Sequence, residues 1–151
     1  DLNREALRDR SVVVLGAGRK GTVRSDGTQN VIAAMQRHSI RRLICQSTLG
    51  AGDSRGNLNF LWKYVMFGFL LREAYADHLL QEEYVRDSGL DWTIVRPGAF
   101  TSGARTGEYR HGFAPTDRST QLKISRADVA DFILGLLPDN AYLHEAPGLS
   151  Y

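Results

Sequence analysis

Cysteine is nearly absent from this sequence, with Cys45 as the single thiol. A lone cysteine closes no disulfide within the chain, and no zinc-site spacing of Cys and His accompanies it. It stands inside the apolar run Leu43-Ile44-Cys45, where it reads as a small buried hydrophobe rather than a nucleophile. This thiol usage fits a reducing compartment, so a cytoplasmic location is expected. Long apolar runs are lacking as well. The most apolar stretch, Leu58 to Leu71, is shorter than the ~20 residues a spanning helix needs, and Lys63 interrupts it. No membrane association is expected. A strong charge of one sign is missing too, the formal net charge being +2. Nucleic-acid binding wants basic residues gathered into a stripe, so no nucleic-acid partner is expected. Arg37, His38, Arg41 and Arg42 do cluster, but at a helix end, where cations complement the helix dipole.

What remains is an ordinary globular composition, with 42% hydrophobic and 24% charged residues in a chain of 151. That length and balance suit a single domain over residues 1–151. The opening ten residues read as a short polar helix. Ser11-Val-Val-Val-Leu15 and Leu43-Ile44-Cys45 are continuous apolar runs of the kind buried on both faces of a parallel sheet. Asp91-Trp-Thr-Ile-Val95 is a third such strand, closed by Arg96-Pro97-Gly98. Helices are expected from about Asp26 to His38, capped by Ser25 or Asp26, and from about Arg72 to Asp87, stopped by Ser88-Gly89. A further helix starts at Ser125 or Arg126 and ends before Pro138, and a last strand is expected near Tyr142-Leu143-His144. Strands alternating with helices predict an α/β doubly wound parallel sheet of Rossmann-like kind. Ligands of such sheets sit beyond the carboxyl ends of the strands, which brings Gly16-Ala17-Gly18, Ser47-Thr48 and Pro97-Gly98-Ala99 to one rim.

Gly16-Ala17-Gly18-Arg19-Lys20-Gly21 spells G-x-G-x-x-G after a strand. The physical demand behind that motif is a third glycine in the first turn of a helix whose N-terminus holds a pyrophosphate. Here the expected helix begins several residues later. An acidic residue for the ribose is also due at the end of the next strand, and Gln46-Ser47-Thr48 stands there instead. Both tests of context speak against a phosphate loop. The aromatic segment Phe60 to Phe69 has two readings: a buried helix or subunit contact, or an apolar lid over a flat substrate.

Several stretches together resemble one family: Val13-Val-Leu-Gly-Ala-Gly18, Gln46-Ser-Thr-Leu-Gly-Ala-Gly52, Ala76-Asp-His78, Asp87-Ser-Gly-Leu-Asp-Trp-Thr-Ile-Val-Arg-Pro-Gly98 and Ile124-Ser-Arg-Ala-Asp128. The chain resembles the atypical short-chain dehydrogenases of the NAD(P)H-binding, NmrA-like branch, and within it the flavin-reductase-like group that includes biliverdin reductase B. The resemblance implies that this is the carboxyl-terminal two-thirds of the fold, with the family's G-x-x-G-x-x-G phosphate-loop unit lying before Ser11 and missing here. It implies NADP as cofactor, with NAD as the other option, and a flavin or similar planar conjugated small molecule as acceptor. Gly16, Ala17 and Gly18 would line the adenosine side. Ser47 and Thr48 match the serine position that holds a substrate oxygen, while Pro97, Gly98, Ala99 and Phe100 would pass along the nicotinamide. Pro97-Gly98 can equally be a simple turn.

The family's Tyr-x-x-x-Lys pair would fall on Ala74 and His78, so an ordinary carbonyl reductase is disfavoured. Hydride transfer to a flavin asks less of the protein. His78 is then a candidate proton donor, or else a histidine that hydrogen-bonds a loop from its helix. Two activities stay open: NAD(P)H-dependent reduction of a planar acceptor, and a non-catalytic NmrA-like redox sensor acting through a protein partner.

Overall fold

A computed structural model of the chain describes the backbone of residues 11–15 and, in full, residues 22–151. The expected helix at residues 1–10 and the glycine loop at 16–21 lie outside the described residues. Strand β1 (Ser11–Leu15) is followed by helix α1 (Val23–Arg37) and strand β2 (Arg42–Gln46). A short 3-10 turn (Gly52–Asn57) and an aromatic helix (Leu61–Leu70) lead into helix α2 (Arg72–Asp87). Then come β3 (Asp91–Pro97), β4 (Ala99–Thr101), β5 (Arg110–His111), β6 (Lys123–Ser125), α3 (Arg126–Gly135) and β7 (Gly148–Ser150).

The main sheet has the order β1-β2-β3-β7-β5, and β4 pairs with β6 in a small second sheet. All pairings are parallel except β5 with β7. Successive side chains of a strand point to opposite faces, and each face has its own core. Leu43, Cys45 and Ile94 pack with Ile32, Met35 and Val85 of α1 and α2. Ile44 and Val95 pack with Val129, Phe132 and Ile133 of α3. Helices on both faces make this a doubly wound, Rossmann-like α/β sheet. Burial pushes the Cys45 thiol up to about 12, so it is the inert hydrophobe its neighbours suggest.

Three expectations change. Helix α1 begins at Val23, three residues before Asp26, and Ser25 lies inside it rather than capping it. The physical reason is a cap from another helix. The Asp77 carboxylate of α2 accepts the amides of Arg24 (3.1 Å) and Ser25 (3.0 Å), which satisfies two of the orphan donors of the first turn. The last strand is Gly148–Ser150, not Tyr142–His144. Tyr142 (φ 59°) and His144 (φ 58°) are left-handed, so this segment turns, and it is held by Thr93 Oγ1 donating to Tyr142 O at 2.8 Å. Finally, the reading of Phe60–Phe69 as a buried helix is overturned. No residue of Leu61–Leu70 is buried, and Phe60 (74%) and Phe69 (80%) are largely exposed. Among the described residues no helix is long and apolar enough to cross a membrane.

Candidate functional site

Gln46-Ser47-Thr48 leaves the carboxyl end of β2, and Pro97-Gly98-Ala99 leaves that of β3, so the two stretches lie side by side. Ser47 N donates to Val95 O (2.8 Å) and Leu49 N to Pro97 O (2.8 Å), which extends the sheet bonding past the end of β2. Pro97-Gly98 is not a simple turn. Gly98 N donates to Leu149 O (2.9 Å) in the main sheet while Ala99 N donates to Leu122 O (2.8 Å) beside the small one, so the chain changes sheets at Gly98. A Cβ there would meet the Leu122 carbonyl at 2.8 Å, and glycine permits this close passage.

Above this floor lies a cavity of about 250 Å³. Its opposite wall is aromatic, made by Trp62 and Phe67 of the aromatic helix, Tyr75 of α2 and Phe100 of β4. Tyr75 stacks on Phe67 at 5.0 Å and donates its hydroxyl to Gly50 O at 2.9 Å, which fixes that wall to the loop after β2. The expected residues Ser47, Thr48, His78, Pro97, Gly98, Ala99 and Phe100 all line this one cavity. Gly16, Ala17 and Gly18 lie outside the described residues. Because α1 starts at Val23, its N-terminus follows Gly21 by two residues, closer than the sequence suggests. The acidic residue that a phosphate loop calls for is still replaced by Gln46 at the end of β2.

Beneath the floor is a buried ion pair. Arg96, 1% exposed, donates Nε to Glu82 Oε1 (2.9 Å) and Nη2 to Glu82 Oε2 (2.7 Å), and Nη1 to Asp53 (2.5 Å). Burial raises the Glu82 carboxyl, but the two-pronged Arg96 bond outweighs it and holds the group below its ordinary range. Gly52 makes room for this guanidinium: its φ is +54°, and a Cβ would come within 2.7 Å of Arg96 Nη2. The floor is therefore fixed from below by a fully engaged arginine.

Two residues that line the cavity carry a buried polar atom without a partner among the described residues. Ser47 is 2% exposed, and its Oγ has no hydrogen-bond partner among the described residues. It is near enough to Glu82 to help keep that carboxyl ionised, but out of hydrogen-bond alignment. His78 Nδ1 is also buried without a partner. Burial, aided by the positive Arg24, holds the His78 ring at about 4, against the pull of Gln81, Asp77 and Glu82. At neutral pH the ring is uncharged, so the expected imidazolium proton donor becomes a neutral hydrogen-bonding group. Nor does Nδ1 tie a loop to α2 among the described residues. Buried polar atoms without partners are uncommon, and both belong to residues that line the same cavity. Turned toward the cavity, they would suit the amide and hydroxyl groups of a nicotinamide nucleoside, for which Ser47 and His78 would be the holding residues.

Among the charged lining residues, Arg24 was not singled out from sequence. Arg24 reaches the cavity from the first turn of α1, paired with Asp77 at 3.5 Å. Asp77 itself is raised by burial, but bonds from Ser25 (Oγ at 2.6 Å and the amide) and Arg24 outweigh this and lower it. Asp77 was visible only as part of Ala76-Asp-His78, because its partners sit more than 50 residues earlier. Other motifs of the resemblance are structural. Asp128 accepts from Thr106 N (2.8 Å), Gly107 N (2.9 Å), Ser125 Oγ (2.9 Å) and Tyr151 OH (2.5 Å), tying the excursion after β4 to the start of α3.

Comparison with known proteins agrees with this architecture. A family profile described as NAD(P)H-binding matches residues 2–140. The UPF0659 protein YMR090W of Saccharomyces cerevisiae is 35% identical over 144 residues, covering 88% of this chain and 58% of its own length. Among solved structures, ChuY, an anaerobillin reductase from Escherichia coli O157:H7, superposes with a TM-score of 0.74 at 28% identity, over 97% of this chain and 66% of that one. A short-chain dehydrogenase/reductase from Veillonella parvula, solved in complex with NADP, superposes with a TM-score of 0.75 at 19% identity, over 99% of this chain and 69% of that one. The latter likeness is one of fold. The chain thus spans about three-fifths of the yeast relative. By the profile match over nearly its whole length, this chain belongs to the NAD(P)H-binding family.

Proposed function

We propose that this chain forms the acceptor side of an NAD(P)H-dependent reductase, with NADP as the dinucleotide and a flavin or similar planar conjugated molecule as acceptor. The observation that carries this reading is the composition of the cavity. One side is backbone and a free hydroxyl at strand ends, and the other is a wall of Trp62, Phe67, Tyr75 and Phe100. Flat aromatic walls suit a flat conjugated ring, and a few polar groups suffice to orient it.

A bound reduced nicotinamide supplies the hydride. The residues of this chain hold and align. Ser47 Oγ and His78 Nδ1 offer their unused hydrogen bonds, Pro97-Gly98-Ala99 presents a smooth backbone surface, and the aromatic wall excludes water from the reacting faces. With His78 neutral and no Tyr/Lys pair, the proton that completes reduction comes from water rather than from a charged side chain. ChuY's description as an anaerobillin reductase supports a conjugated acceptor, since a relative of the same fold at 28% identity acts on one by its name.

The second reading, a redox sensor that binds dinucleotide without turnover, is favoured by the exposed outer face of the aromatic helix, which a protein partner could cover. Steady-state consumption of NADPH with free flavin separates the two. Sustained, saturable oxidation is expected. A single equivalent bound with no turnover would replace the reductase by the sensor.

A further inference from the structure

Phe100 is 41% exposed and serves as a wall of two spaces at once. On one side is the cavity described above; on the other is an outer groove of about 1060 Å³ between the end of the aromatic helix and the start of α3. The groove is lined by Phe69, Leu70 and Leu71 on one flank and by Arg72, Glu73 and Arg126 among its charged groups. The Arg126 guanidinium lies over the Phe100 ring at 5.3 Å. Its only described hydrogen bonds run through Nη1, to Thr101 O and Ser102 Oγ, both long at 3.3 Å. Neither Arg72 nor Arg126 forms an ion pair with a carboxylate among the described residues, although seven such pairs occur there. The groove thus holds two cations against one acid, and its best-placed cation is an arginine fork beside an aromatic edge.

An arginine stacked on an aromatic ring keeps its in-plane N–H groups free for a planar or tetrahedral oxyanion. Phe100 lines both the inner cavity and the outer groove, so a substituent on a flat molecule in the cavity that passes this ring comes to Arg126. We infer that the acceptor carries an anionic group, phosphate or carboxylate, on a substituent that crosses Phe100 and is held in the outer groove by Arg126, with Arg72 adding to the field. This rests on the reductase reading of the inner cavity and extends it to a specificity-determining residue. The reacting ring is selected by shape and stacking, and the charged tail by Arg126.

Riboflavin and its 5′-phosphate share one ring system and differ by the anion, so their comparison isolates the groove. Affinities are read from quenching of flavin fluorescence with oxidised NADP present, which prevents turnover. The phosphate ester is expected to bind about tenfold more tightly than riboflavin. Arg126→Met should weaken the phosphate ester about fivefold while leaving riboflavin unchanged, and Arg126→Lys should restore much of the loss. Added salt should narrow the preference. Because the readout is a ratio between two ligands on the same variant, general damage to the fold does not imitate it. Equal affinities in the unaltered protein, with riboflavin still reduced, would overturn the inference and leave the reductase reading standing. Loss of NADP affinity in Arg126→Met, with the flavin preference intact, would overturn it by assigning the groove to the dinucleotide. Absence of both flavin binding and flavin reduction would remove the reading on which it rests.

Discussion

On one side of the cavity, the loops after β2 and β3 are bonded at nearly every turn: Ser47 and Leu49 extend the sheet, and Arg96 with Glu82 fills the space beneath. On the other side, the aromatic helix presents Phe60, Leu61, Tyr64, Val65, Phe69 and Leu70 to solvent and touches the rest of the protein mainly through Trp62, Phe67 and Leu71. Its hydrogen bonding is of the i→i+5 kind, as in Leu71 N to Met66 O at 2.7 Å, a wide helix that occurs often at functional sites. The contrast separates two tasks. The floor has to keep one geometry, so its backbone and its buried arginine are fully bonded, with Ser47 Oγ the exception. The wall has to admit a ligand, so it is apolar and held by few contacts.

The largest effect is expected from breaking the floor. Glu82→Gln leaves Arg96 buried beside a neutral partner and should cost about 3 kcal/mol in chemical denaturation, as removal of one member of a buried pair does. A second test uses pH. In the unfolded chain His78 titrates near ~6.5, whereas in the folded protein burial holds it at about 4. The unfolded state therefore takes up the proton first. The stability contributed by the neutral ring is complete above ~6.5 and is lost as pH falls from there to about 4. Allowing for the partial exposure of His78, the loss should be about 2 kcal/mol, and in His78→Gln that window should flatten. Smaller still, and confined to activity, is Ser47→Ala. It removes a hydroxyl with no hydrogen-bond partner among the described residues, so stability should hold within about 0.5 kcal/mol while kcat/KM for flavin reduction falls about tenfold. At the far end stands Phe69→Ser on the outer face of the wall, which should change stability by less than about 0.5 kcal/mol. A large loss there would mean that the aromatic helix belongs to the framework.

Much of the framework was legible because its signals are local. The apolar runs at Ser11–Leu15, Leu43–Cys45 and Asp91–Val95 all fall in strands paired in parallel, and Ser125 caps α3 by accepting from Asp128 N. The residues proposed from Ser47 to Phe100 share a cavity because strand ends in this fold converge on one rim. What escaped was long-range. The start of α1 depends on Asp77, which is remote in sequence, and the final strand depends on left-handed Tyr142 and His144, whose side chains carry no turn signal. The aromatic helix misled for another reason: a run of apolar residues announces burial equally whether it is covered by the protein or faces a ligand.

Trp62 lines the cavity and Trp92, the other tryptophan, is not among its lining residues and lies against His144, so Trp92→Phe leaves one reporter in the proposed acceptor wall. Titrating that variant with flavin mononucleotide should quench Trp62 emission along the same saturation curve as the flavin's own fluorescence. Flavin binding that leaves Trp62 emission unchanged would place the acceptor elsewhere and contradict the account.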